Sequence, residues 1–250
     1  MSEPLLQALI FDVDGTLADT ESAHRAAFNQ AFAELGLGWQ WDEALYTELL
    51  NISGGKERIL HYWRLANPDI KALDGHALQD TIARIHELKS AAYERAINDG
   101  AVSLRPGVLR LIEEAYKDGL HLAIATTTSP VNITALLRSA IGPDWGHYFR
   151  VIEDASTAQR KKPDPQVYRQ TLERLKLPAS LCLAFEDSAN GLRAAVGAGL
   201  ATVITPNSFT AHHDFSGALQ VLPSLRDTSV ADLRAWHAQE PATTARPASI

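Results

Sequence analysis

At 250 residues with 46% hydrophobic side chains, the chain is long enough to bury a full core, as one large domain or two smaller ones. A formal charge of −7 argues against a broad nucleic-acid surface, and a single cysteine excludes an internal disulfide. No window approaches the ~20 apolar residues that a membrane span needs, so a soluble cytoplasmic protein with neither nucleic-acid nor membrane partners is expected, acting as a monomer.

The first element is a short apolar strand, Leu6 to Phe11, that runs straight into Asp12-Val13-Asp14-Gly15-Thr16. An acidic residue at a strand end is unremarkable as a turn signal. Two carboxylates one residue apart, followed by a Gly-Thr turn, would converge on the crevice at the carboxyl end of a parallel sheet, where α/β proteins place their chemistry. Two such anions repel each other, so a cation is expected between them.

From about Glu21 to Asn98 the pattern is helical and no strand signal interrupts it. Ala23, Ala27, Phe28, Ala31, Phe32 and Leu35 mark one face, and Ile82, Ile85, Leu88, Ala92 and Tyr93 mark another. This stretch reads as an inserted α-helical cap. Within it, Gly54-Gly55-Lys56-Glu57-Arg58 opens a helical segment running to about Leu65; backbone N–H groups freed by two glycines, with Lys56 and Arg58, could meet an anion. A flexible turn leading into a helix with a charged face explains the same residues. Trp39 and Trp41 read as cap packing, His24 as a helix-face residue, and Tyr46 as either core or pocket.

The chain returns through Leu104-Arg105-Pro106-Gly107, with Pro106 placed to open a helix over Val108 to Lys117 and Gly119 to close it. The connections near Thr20 and Ser103 are candidate hinges. Strands then recur at Leu120 to Ala125, Leu181 to Phe185 and Ala201 to Thr205, separated by helices, which is the rhythm of a Rossmann-like parallel sheet. The expected division is a core of residues 1–20 and 100–238, a cap of residues 21–99, and a disordered Pro/Ala/Thr-rich tail over 239–250.

The later strands end in residues that chemistry could use. Thr126-Thr127-Thr128-Ser129 offers hydroxyls and backbone N–H groups beside a helix start, although such a run also serves simple capping. Lys161-Lys162-Pro163-Asp164-Pro165 fixes a cation in a rigid turn before a helix at Gln166 to Leu175; read alone, a lysine pair is more often surface. Glu186-Asp187-Ser188 follows the strand containing Cys182, a thiol expected to be packed, and either Ser188 or Asp187 could cap the helix Asn190 to Ala198. His212-His213-Asp214 has a metal-like look but reads as a solvated loop.

Taken together, Asp12-x-Asp14-Gly15-Thr16, Thr126 after an apolar strand, Lys162-Pro163 and Glu186-Asp187 resemble, in order and context, the four motifs of the haloacid-dehalogenase-like hydrolases. The resemblance spans the chain apart from the tail. It implies Asp12 as the nucleophile toward phosphorus, Asp14 as general acid/base, Thr126 and Lys162 as catalytic phosphate ligands, and a Mg²⁺ site made by Asp12, Asp187 and the Asp14 carbonyl, with Glu186 in support. The wider context, Asp12 to Glu21 followed by His24-Arg25-Ala26-Ala27-Phe28-Asn29, together with Gly54 to Arg58 and Glu186 to Arg193, resembles the CbbY subgroup. That likeness implies a phosphatase acting on a phosphorylated sugar, xylulose-1,5-bisphosphate, a misfire product that inhibits Rubisco in the Calvin cycle. It would place Glu21 on the sugar hydroxyls and the segment Gly54, Gly55, Lys56, Glu57 and Arg58 on the distal phosphate, with Tyr46 and Thr127 as further substrate contacts. A β-phosphoglucomutase-like phosphomutase, a phosphoglycolate-type sugar or small-acid phosphatase, and a catalytically silent sensor on the same fold are the competing expectations.

Overall fold

The computed structural model describes residues 6–66 and 76–239. A six-stranded parallel sheet runs in the order β3-β2-β1-β4-β5-β6. Its strands are β1 (Ala8–Phe11), β2 (His121–Ala125), β3 (Phe149–Glu153), β4 (Cys182–Glu186), β5 (Ala201–Ile204) and β6 (Gln220–Val221). This is the doubly wound arrangement, and the strand order reverses between β1 and β4, so their carboxyl ends flank the crevice. β1 is buried along its whole length, which is why it reads as a continuous apolar run.

Alternation along the strands divides the core into two layers. Leu9 and Phe11, with Leu122, Ile124, Leu183 and Phe185, pack on one face, and Phe11 stacks on its neighbour Phe185 at 4.6 Å. Ala8, Ile10, Ala123, Ala125 and Ala184 form the other face; these small residues let α7 (Gln166–Leu175) and α8 (Ala189–Gly197) approach closely. Cys182 lies in this second layer, where burial pushes its thiol up to about 12, so it packs rather than reacts.

Among the described residues between β1 and β2 lie the helices α1 (Glu21–Glu34), α2 (Glu43–Leu49), α3 (Gly55–Ala66) and α4 (His76–Asn98), and then α5 (Val108–Lys117), which belongs to the sheet layers. Ala27, Ala92, Tyr93 and Ile97 of α1 and α4 pack into the sheet-side core, while the helices of this insert also pack around an aromatic cluster that Phe209, from beyond β5, joins against Tyr46. Trp41 is fully buried there, with ring centroids 4.7 Å from Phe28, 4.9 Å from Phe32 and 5.4 Å from Tyr62. Trp39 packs at its edge against Phe32, Tyr62 and Trp63. The two crossings between cap and sheet lie side by side, because Ala18 bridges to Leu104 in an antiparallel step.

The remaining helices, α6 (Pro130–Ala140) and α9 (Val230–Gln239), complete the layers around the sheet. The α5 boundaries agree with the expectation, except that Pro106 stands one residue ahead of the N-cap, Gly107. β3 and β6 carry no strand signal of the kind found at the other four. The tail from 240 onward and much of the stretch from Pro68 to Leu78 lie outside the described residues. Among the described residues no helix is long and apolar enough to cross a membrane.

Removing the indole at the centre of the cap cluster leaves a cavity that several rings would have to collapse into. Trp41→Ala is expected to cost about 3–5 kcal/mol, measured by urea unfolding; a loss under about 1 kcal/mol would show that the cluster does not hold the cap together.

Candidate active site

The carboxyl ends of β1, β2 and β4 deliver the charged side chains to one buried point. Asp12 follows β1 directly, anchored by its N–H to Phe185 O at 3.0 Å. Lys162, from the turn ahead of α7, sends its Nζ to Asp12 Oδ1 at 2.6 Å, Glu186 Oε1 at 2.6 Å and the Ala125 carbonyl at 2.9 Å. Tyr168 on α7 donates its hydroxyl to the same Glu186 oxygen at 2.5 Å and lies under the ammonium. Burial alone would depress the lysine, but Asp12 and Glu186 outweigh it and hold Lys162 firmly charged.

The acids feel the opposite pressure. Asp12, Glu186 and Asp187 each place a carboxylate oxygen within 4.8 Å of the others, all buried, with one lysine to neutralise them. Burial, followed by the charges of Asp12, Glu186 and Glu21, drives Asp187 well above the usual carboxylate range. An all-oxygen cluster short of positive charge fits a hard divalent cation rather than zinc, which prefers His and Cys. The backbone leaves room for it: Gly15 has φ +79°, and a Cβ there would run into Asp187 Oδ2 and lie 2.6 Å from Asn207 Nδ2. Asn207 donates to Asp187 Oδ2 at 2.7 Å and so fixes the carboxylate's orientation.

Asp14 points away from this cluster. Its Oδ1 takes a 2.8 Å hydrogen bond from His24 Nε2, and His24 Nδ1 is 2.8 Å from Lys89 Nζ. An ammonium can only donate, so Nδ1 accepts and Nε2 carries the proton that reaches Asp14. Burial would raise Asp14, yet His24 and then Lys89 outweigh it and hold the carboxyl below its ordinary range. Lys89 is itself buried between the Phe28 and Tyr93 rings, and burial brings it down to about 8. Of Asp14, the main-chain carbonyl rather than the side chain is left for a cation.

A cleft of about 410 Å³ opens from this point toward the cap. Asp12, Asp14, Glu21, Gly54, Gly55, Lys56, Glu57, Arg58, Thr126, Thr127, Lys162 and Asp187 all line it. Tyr46 does not: it is fully buried and reaches the site through Glu21, to which its hydroxyl donates at 2.7 Å. Arg58 is a loop anchor as much as a free cation. It donates to Leu49 O, Ile52 O and the Tyr46 hydroxyl at 3.1–3.2 Å, holding the turn that ends at Gly54. Glu57 folds its carboxylate against Gly54. On the sheet side Thr126 is buried with its hydroxyl accepting from Thr128 N, and Ser129 caps α6.

Lys89, His86, Tyr168 and Asn207 complete this site although the motifs do not single them out, and so do His24 and Lys161, which stand inside motif segments that assign them no role. A signal existed for Lys89, a cation inside the apolar stripe that Ile82, Ile85, Ala92 and Tyr93 define, because a lysine on a buried helix face needs a partner.

A sheet switch point carrying Asp12, a buried lysine and an acidic pair defines the class. The chain belongs to the haloacid dehalogenase-like hydrolases, whose family description matches residues 6–199. It is a phosphatase of that family, and its near relatives are CbbY proteins. The plasmid-borne CbbY of Cupriavidus necator is 52% identical over 248 residues, covering 93% of this chain and 97% of that protein. The crystal structure of Rhodobacter sphaeroides CbbY in complex with phosphate is 43% identical with a TM-score of 0.84, covering 92% of this chain and 99% of that one. A mutant of the same protein, with the same scores and coverage, was crystallised with xylulose-(1,5)-bisphosphate. These relatives mark the chain as a sugar-phosphate phosphatase. β-Phosphoglucomutase of Clostridium difficile, at 21% identity, TM-score 0.74 and coverage of 93% and 97%, shares the fold.

The charge shortage predicts a pH signature. Burial, Glu186 and Asp14 push Asp12 up to about 7 from an ordinary 3.8 despite Lys162, so the folded protein holds a proton that the unfolded chain releases earlier. That contribution to stability is complete below the unfolded value and is lost as pH rises through about 7. In chelator, the Tm advantage of Asp12→Asn over the wild type should therefore widen between about pH 5 and pH 8. A gap that stays flat would show that the Asp12 charge is not the destabilising element.

Proposed function

We propose that the protein is a Mg²⁺-dependent sugar-bisphosphate phosphatase that works through a phosphorylated Asp12 and converts xylulose-1,5-bisphosphate to xylulose 5-phosphate and phosphate. The observation that carries this reading is the two-ended cleft. At one end Asp12 and Lys162 meet beside Thr126; at the other, Lys56 and the Gly54–Gly55 turn open α3, and both ends line the same 410 Å³ space. A molecule with one phosphate would leave one end unused. The xylulose-(1,5)-bisphosphate complex of the 43% identical relative supports the same choice of substrate.

The residues divide the work as phosphoryl transfer requires, mainly by positioning and by neutralising charge. Lys162 and Thr126 hold the reacting phosphoryl group, and an Asp12 carboxylate oxygen forms a bond to phosphorus as the ester P–O bond breaks. Asp14, which must first take up a proton as the phosphorylated substrate binds, gives it to the leaving alkoxide. Water then attacks phosphorus, surrenders a proton to Asp14 and frees Asp12. The structure holds Asp14 through His24 and Lys89 in its ionised form, the state that accepts the proton from water. Asp12, Asp187 and the Asp14 carbonyl would hold Mg²⁺, which when bound supplies positive charge to the phosphoryl oxygens. Glu21, which accepts from the Tyr46 hydroxyl and lines the same cleft, is the candidate for contact with sugar hydroxyls.

Asp12→Asn should fold and yet lose phosphate release by on the order of 10⁴-fold or more, because the amide cannot form an acyl phosphate. Chelation should stop turnover, Mg²⁺ should restore it, and Asp187→Ala should raise the Mg²⁺ concentration needed about tenfold or more. Full activity in chelator would remove the metal from the mechanism.

The substrate is tested by phosphate release across a panel of sugar mono- and bisphosphates. Binding energy at the remote phosphate can help align the attack at the other, so kcat/KM for xylulose-1,5-bisphosphate should exceed that of any pentose or hexose monophosphate by about 100-fold or more. Lys56→Ala should narrow that ratio about tenfold. A preference for monophosphates overturns the reading, and so does movement of label between sugar positions without phosphate release, which would make the protein a mutase.

A further inference from the structure

His86 lines the cleft, and neither the motifs nor the catalytic scheme uses it. It stands on α4 one turn before Lys89 and lines the cleft beside the opening of α3. Its ring packs so closely on Gly55 that a Cβ there would lie 2.9 Å from both Cδ2 and Nε2. Gly55 therefore brings the imidazole against the N-terminal turn of α3, beside the N–H groups that face an incoming anion. Around it stand groups from every side of the cleft: Lys89 from its own helix, Lys56 from α3, His24 from α1 and Lys161 from the segment ahead of α7. Burial first, and then those four neighbours, push the imidazole down to about 4, so the ring is neutral in the free protein.

A neutral ring at the centre of several cations is the arrangement an arriving dianion would reverse. The phosphate would cancel the field of Lys56, Lys89 and Lys161 at the ring and offer an acceptor to a second ring N–H. We propose that His86 is a ligand of the phosphate remote from Asp12, and that it takes up a proton from solvent as that phosphate binds and donates to it as imidazolium. This deepens the two-ended reading of the cleft and rests on it. A neutral His86 spares the empty pocket another positive charge, and the charge appears only when there is a partner for it.

The test uses the full-length Asp12→Asn protein, which binds without turnover. Calorimetric titration with xylulose-1,5-bisphosphate in two buffers of different ionisation enthalpy, at about pH 7.5 where both ester phosphates are dianionic, counts the protons taken up. Uptake should fall by close to one proton when His86→Asn is added, and the ¹⁵N resonances of His86 in the intact ring should move to the imidazolium position on ligand addition. In the active protein, His86→Asn should lower the ratio of kcat/KM for bisphosphate over monophosphate about tenfold. Where His86→Asn does not fold, His86→Gln and the ¹⁵N spectrum of the unsubstituted ring carry the test. Equal proton counts with and without His86, or a ring that stays neutral in the complex, overturn the proposal. If the wild type prefers the bisphosphate and Lys56→Ala narrows that preference while His86→Asn does not, this inference alone fails. If the wild type shows no bisphosphate preference, the reading beneath it fails.

Discussion

Three buried carboxylates share one lysine, and most of the site follows from that imbalance. Parallel β1 and β4 end together at the switch point, so Asp12 and the Glu186–Asp187 pair are forced close by the sheet itself. Lys162 can satisfy Asp12 and Glu186 because its turn lies over the end of β2, where the Ala125 carbonyl takes a further donor hydrogen. Tyr168 adds a hydrogen bond to Glu186 from below. Among the described residues no cation pairs with Asp187, and the Asn207 amide holds its carboxylate in place. A polar cluster of this kind is costly in a folded protein unless something completes it, and in the proposed reading a bound cation together with a phosphoryl group would do so.

Asp14 is kept out of this competition. Were its carboxylate turned toward Asp12, a fourth anion would join the cluster. Instead His24 and Lys89, both from the cap, draw it to the other side of the cleft. Asp14 thereby takes its ionisation from His24 and Lys89, while Asp12 takes its own from the groups at the sheet ends. Two aspartates one residue apart are pushed in opposite directions, Asp12 upward and Asp14 downward, which is the separation that the proposed roles of nucleophile and proton carrier require.

The four central strands were legible because burial on both faces leaves an unbroken apolar run, and the catalytic acids were legible because each stands at the end of such a run. β3 was not, since Arg150 and Glu153 interrupt Phe149–Glu153 with charges that find His121 and Arg174 in the fold. β6 is two residues at the sheet margin, too short for any periodic signal. In the cap, periodicity found the helices but could not say which polar residues turn inward. His24 and Lys89 share faces with apolar residues, and their partners lie 10 and 65 positions away along the chain. Arg58 shows the converse: a guanidinium three residues past a glycine turn reads as an anion ligand, whereas much of its hydrogen bonding is spent on Leu49, Ile52 and Tyr46.

The cap is also tied to the chemistry through the chain that joins it to the sheet. Arg105, on the returning segment, is buried and donates to the carbonyls of Gly15, Thr205 and Pro206 while pairing with Asp19 at 3.2 Å. One guanidinium therefore grips the turn after Asp14, the end of β5 next to Asn207, and the residue just before the cap begins. Asn190, at the start of α8 beside the acidic pair, donates across the cleft to Asn51 O at 3.0 Å and Ser53 Oγ at 3.2 Å. The loop that opens the distal end of the cleft is thus fastened to the helix that follows Asp187. Displacing the cap about its crossings must break the Asn190 contacts and the His24 bond to Asp14 together, because both span the same gap. Access to the distal end and the protonation state of Asp14 are for that reason coupled by geometry.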